Sequence, residues 1–254
     1  MARKLLHFKV MISRASLYKL FIPALLLVGS CNAQITNIGE RGETTQALCT
    51  QEKYIYLNRW GGTYRPGVSD SRANTSKRLD EEKDINPIAF EDEDWDLIKG
   101  CVEGVYSEFG FEVTDRTPAG NANHLEVVFT RDESKDVLGF ANARSIGGEE
   151  FSCDINPNML SWVFAYESKG ALDYCHRATS AIALSLTLDL TESCGDVTSS
   201  TTTCDVDDAN LLALTNQARN CEKGDCRCDQ GTTSQNAFQR VSEVIVSDEF
   251  CVEE

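Results

Sequence analysis

The chain has 254 residues, 40 of them acidic and 24 basic, for a net charge of −16. So acidic a surface repels nucleic acid and anionic membrane, which excludes polyanion binding as a function class. The length suffices to bury one substantial core, so a single domain is expected rather than an array.

Residues 1–30 read as an export signal. Arg3, Lys4, Lys9, Arg14 and Lys19 form a basic leader without an acid. The apolar stretch LFIPALLLV (20–28) is too short for a stable transmembrane helix. Met11 offers a second possible start. The run ends in VGSC, small residues directly before Cys31. That pattern resembles a bacterial lipobox and implies cleavage before Cys31 and lipidation of its thiol. The alternative is an ordinary signal peptide with an incidental cysteine. The expectation is an exported lipoprotein of the bacterial cell envelope (outer membrane, periplasmic or surface-facing), touching membrane through its lipid alone. Loss of the leader leaves 19 basic against 40 acidic residues, a net charge of −21.

Residues 31–52 then form a polar tether and 53–251 a single domain. KYIYLNRW (53–60) has the alternation and aromatic content of a strand. The polar, glycine-bearing stretch 61–84 is expected to be loop. A helix follows, with Trp95, Ile98, Val102, Val105 and Phe109 on one stripe, acids 91–94 at its start and Gly110 at its stop. FEVTD (111–115), HLEVVFT (124–130) and MLSWVFAY (159–166) read as strands. A second long helix is predicted over 171–188, and further helices over 208–219 and 234–246. This order predicts an α/β (α+β) fold, a mixed twisted sheet with two long helices and a disulfide-rich C-terminal part. Besides Cys31, ten cysteines remain: Cys49, Cys101, Cys153, Cys175, Cys194, Cys204, Cys221, Cys226, Cys228 and Cys251. An even number in an exported chain predicts a disulfide framework whose pairing is open, Cys194 with Cys204 being the easiest local pair.

Five stretches carry a resemblance: IYLNRWGGTYRPGVSDSRANTS, WDLIKGCVEGVYSEFGFEVTD, FSCDINPN, CHRATSAIALSLTLDLTESCGD and CRCDQGTTSQNAFQRV. Together they resemble a family of small secreted bacterial proteins related to the metzincin zinc peptidases. Family members carry HExxHxxGxxH on the second long helix and the turn after it. Two histidines four apart share one helix face for zinc, the glutamate polarises the bound water, and glycine lets the chain turn so that a third histidine reaches the metal. The resemblance places Ser180 and Leu184 at the first two histidines, Ala181 at the glutamate, Thr187 at the glycine and Leu190 at the third histidine. No metal ligand and no catalytic residue carries over. The methionine turn is missing too, since CGDVTSS (194–200) has no methionine. Outside the leader only His124 and His176 occur, so no register restores a three-histidine site.

Other groups are weaker candidates. His176 and Ser180 are four apart, but a serine nucleophile also needs an orienting acid and an oxyanion hole. Cys221, Cys226 and Cys228 with His176 have zinc-ligand chemistry, though disulfides suit an oxidising compartment better. DVDDAN (205–210) has carboxylates for calcium but lacks the glycine and distal glutamate of a calcium-binding loop; it reads better as a solvated helix start. NTS (74–76) matches a glycosylation sequon, which carries little in a bacterial lipoprotein. Leu184 and Leu190 are expected to plug the emptied metal position. The expectation is therefore a non-catalytic pseudo-metallopeptidase that binds a peptide or protein and needs no cofactor. The alternatives are a divergent zinc metallopeptidase and a purely structural envelope lipoprotein.

Overall fold

The computed structural model describes residues 53–139, 143–147, 153, 155–191, 196–199, 213–214, 216–222, 225–226, 228 and 231–245. The leader, the tether, Cys31, Cys49, Cys194, Cys204, Cys251 and the 205–210 stretch lie outside them. The described residues form an α/β structure and belong to one compact unit. Among them, no helix is long and apolar enough to cross a membrane.

Five strands form the main sheet: β1 (Lys53–Asn58), β5 (Phe111–Thr114), β6 (His124–Thr130), β7 (Ser145–Ile146) and β8 (Leu160–Phe164). Their order is β5-β1-β6-β8-β7; the first four run parallel, and β7 closes the edge antiparallel to β8. Parallel neighbours need crossovers, and α1 (Asp92–Tyr106) supplies the one from β1 to β5. Its buried stripe is Trp95, Ile98, Val102 and Val105, as the spacing predicts. Phe109 joins them from a short 3₁₀ turn, Ser107–Phe109, which ends at Gly110 with φ 79°. The second long helix, α3 (Ala171–Ser185), follows β8 and stops three residues earlier than the 171–188 expectation.

The strand period sorts side chains onto two faces. Ile55, Leu57, Leu125, Val127, Phe129 and Val163 face α1 and α3, where they meet Ile98, Val102, Ala178 and Ile182. Val128, Leu160, Trp162 and Phe164 form a second core with Tyr64, Leu79 and Ile85. Residues 61–84, expected to be loop, hold the covering layer of that second core. Three short strands, β2 (Gly62–Pro66), β3 (Thr75–Ser76) and β4 (Lys83–Ile85), pair in the order β3-β2-β4. A short helix, α2 (Ser134–Leu138), adds Val137 and Leu138 to the same core. With both faces covered, all seven residues of β6 are buried.

The C-terminal part departs further from expectation. Within 208–219 the described residues include β9 (Ala218–Asn220), a strand where a helix was predicted. Residues 234–246 begin as β10 (Ser234–Asn236), antiparallel to β9, and only then become α4 (Ala237–Ile245). The apolar periodicity starts late because only Ala237, Val241, Val244 and Ile245 are buried. Three disulfides fall among the described residues: Cys101–Cys175, Cys153–Cys228 and Cys221–Cys226.

Candidate functional site

The site to be tested is α3 and the turn that ends it. Ala178, Ser180, Ala181, Ala183 and Ser185 are small, so neighbouring backbone approaches this helix closely. Gly147, just beyond β7, lies so near that an added Cβ would fall 2.3 Å from the Ala181 carbonyl oxygen and 2.4 Å from the Leu184 Cβ. The Ser185 hydroxyl bonds that of Ser161 on β8 at 2.8 Å and also donates to the Ala181 carbonyl. From the other side, the Tyr106 hydroxyl of α1 donates to the Thr179 carbonyl at 2.6 Å. The Cys101–Cys175 bridge ties the two helices. Arg177, 3% exposed, donates to the Phe164 and Tyr166 carbonyls and to the Asp173 carboxylate, each at 2.7 Å.

The positions aligned with the zinc motif sit in this setting. Ser180 and Ala181 are buried, while Leu184 and Leu190 are only half-buried. The expected plug of Leu184 and Leu190 is thus partial; the fully buried residues of this stretch are Ala181, Ile182, Ala183, Leu186 and Leu188. A helix packed on two sides at this register turns its deepest positions toward the sheet and α1.

The end of α3 is a doubly bonded left-handed stop. The Leu188 amide donates to the Ala183 carbonyl at 3.1 Å and the Thr187 amide to the Leu184 carbonyl at 3.3 Å. Between them Thr187 takes φ 65°, and Leu188 is buried in the same core as Ala183. This cap ordinarily uses glycine, because a β-branched residue is strained there. Thr187 is the residue aligned with the motif's turn glycine. Its hydroxyl accepts a bond from Arg240 Nε at 3.3 Å. Just beyond, the Asp189 amide donates to the Gln235 side chain, which donates back to the Asp189 carbonyl. With the side-chain contacts removed equally, Thr187→Gly is expected to be about 1 kcal/mol more stable than Thr187→Ala. Denaturant midpoints check it; equal stabilities would show that the turn is not held left-handed.

No hydrogen bond joins His176 to Ser180 among the described residues. His176 Nε2 is buried without a hydrogen-bond partner among them, and burial lowers its pKa. His124 opens β6, with Nδ1 2.8 Å from the Ala122 carbonyl oxygen; burial lowers its pKa as well. The proposed set of Cys221, Cys226 and Cys228 with His176 has no thiolate to offer. Cys221 is bonded to Cys226, and Cys228 to Cys153. Asp189 does bring a carboxylate within 4.8 Å of the Cys221 and Cys226 sulfurs, but those two sulfurs are joined to each other. Asn74 of the sequon is exposed and caps a short 3₁₀ turn at φ 52°.

A second polar cluster has no counterpart among the expected candidates. Glu126, in the middle of β6, is 2% exposed. Its Oε1 accepts from the Tyr64 hydroxyl at 2.6 Å and from Asn58 Nδ2 at 2.9 Å. Burial pushes its carboxyl up to about 7, against the downward pull of those two bonds. A glutamate in a strand reads as solvent-facing, so only the unexpected β2–β4 layer could have exposed its character.

At the motif-aligned positions stand Ser180, Ala181, Leu184, Thr187 and Leu190, none of which offers an imidazole, carboxylate or thiol. No protein-family model, curated protein or solved structure matches the chain.

Proposed function

We propose that the chain is a non-catalytic member of the metzincin-like peptidases, exported as a lipoprotein and binding a peptide or protein at the cell envelope. One observation carries this. The residue aligned with the motif's turn glycine, Thr187, occupies a left-handed helix stop although threonine is poorly suited to it. A left-handed turn without its glycine at the end of the helix, with Ser180, Ala181, Leu184 and Leu190 at the aligned ligand and catalytic positions, supports the reading of a retired metal site. The mixed sheet under two 15-residue helices supports the same reading. The disulfides support an oxidising location.

Metal content tests it. Protein produced in an oxidising compartment and purified without chelator is expected to carry far less than one zinc per chain. Its melting temperature is expected to be unchanged by chelator, and peptides from a random library are expected to bind without being cut. One zinc per chain with chelator-sensitive cleavage would establish the divergent metallopeptidase instead. Absence of both metal and saturable peptide binding would leave the structural lipoprotein.

A further inference from the structure

Glu126 sits where the β2–β4 layer is fastened to the main sheet. It lies on the β6 face that carries Val128, away from α1 and α3, with Tyr56 of β1 and Leu160 of β8 as its register partners. Tyr64, the central residue of β2, is 1% exposed, stacks edge-on against Trp162 at 5.1 Å and donates to Glu126. Asn58 Nδ2 reaches Glu126, the Tyr64 hydroxyl and the Gly61 carbonyl, while its Oδ1 accepts from the Trp60 amide. The carboxyl is therefore gripped by the end of β1 and the middle of β2, and the turn between them is bonded to the same Asn58. Among the described residues, the titratable groups facing it are Tyr64 and Tyr56, and no basic side chain contributes to its environment.

We propose that Glu126 is a proton-operated fastening: protonated, it holds the β2–β4 layer closed over the main sheet, and ionised, it lets that layer open locally. A neutral carboxyl fits an apolar layer and keeps its two bonds, whereas a carboxylate there has no cation to compensate it. The folded value of about 7 lies above the ordinary 4.5. The closed state therefore holds the proton more tightly than the open one. Its stabilisation is complete below the ordinary value, declines as pH rises between the two and is gone above the folded value. Burial raises the pKa values of Tyr64 and Tyr56, so both stay protonated throughout this window. His124, two residues earlier on the same strand, has a lowered pKa and gives the opposite slope. The inference holds whether or not the chain binds a partner.

Hydrogen exchange on the full chain decides it. Protection, corrected for intrinsic exchange, would be compared between peptides covering 62–85 and 171–185 at pH 5 and pH 8. In the wild type, 62–85 is expected to open roughly 50-fold more often at the higher pH while 171–185 changes little. Glu126→Gln keeps a neutral acceptor and is expected to flatten the 62–85 response, leaving the His124 contribution in place. A variant that still loses protection as the wild type does would overturn the proposal. Should Glu126→Gln fail to fold, the wild-type comparison stands alone: a pH response that is absent, or equal in both segments, overturns it.

Discussion

Replacing Cys101 and Cys175 together, as Cys101→Ser/Cys175→Ala, is expected to lower the unfolding free energy by about 4 kcal/mol. The bridge joins α1 to α3 across 74 residues, with Cα atoms 6.1 Å apart. Cross-linking positions so far apart in sequence removes much of the freedom of the unfolded chain, and that entropy returns when the link is cut. Cys175 is fully buried in the helix–helix core, so alanine there leaves a small void besides. The double replacement avoids a stray thiol that could pair wrongly. Denaturant unfolding of parent and variant, both oxidised, measures the difference. A loss below about 1 kcal/mol would mean that α1 and α3 are held by packing alone.

Arg177→Leu is expected to cost about 3–5 kcal/mol, because a buried guanidinium's bonds to two carbonyls and a carboxylate are lost together. The guanidinium satisfies two carbonyls at the C-terminal end of β8 and the Asp173 carboxylate. Leucine offers none of those donors, so the three acceptors would face an apolar group in a site sealed by Tyr174 and the sheet. Asp173 keeps one donor, the Lys169 amide, and it is partly exposed, which moderates its share. Arg177→Lys should retain part of the stability, since an ammonium can reach one carbonyl but not span all three acceptors. Thermal melts of the two variants beside the parent would show the ranking. A leucine variant as stable as the lysine one would mean that water replaces the lost donors.

Much of the main layer was legible from residue order alone. The α1 stripe, the Gly110 stop, the β6 run and the β8 run follow from apolar periodicity that local sequence displays. The β2–β4 layer was not legible, because its strands are two to five residues long and mostly polar. Tyr64, Leu79 and Ile85, the residues that bury it, are too widely spaced to form a pattern. Residues 218 and 219 read as helix because their neighbours suit one, yet pairing with β10 decides their conformation. At the α3 site, the identities at 180, 181, 184, 187 and 190 were plain. Their depth was not: burial of Leu184 depends on where Gly147 lies, and nothing near 184 encodes that. Glu126 was hidden for the opposite reason, since a side chain that suggests solvent is covered by a layer assembled from elsewhere in the chain.

The pairing pattern of the bridges sets the order of events during folding. Cys153 lies inside the loop closed by Cys101–Cys175, while its partner Cys228 lies outside it. The two links interleave, so joining each cysteine after Cys31 to the next one synthesised pairs Cys49 with Cys101 and Cys153 with Cys175, and makes neither bridge. Cys153 must remain unjoined, or be released by thiol exchange, until the last quarter of the chain is present. By the second route maturation includes reshuffling, which takes seconds to hours. An isomerase is expected to speed maturation wherever a mispaired bridge forms first.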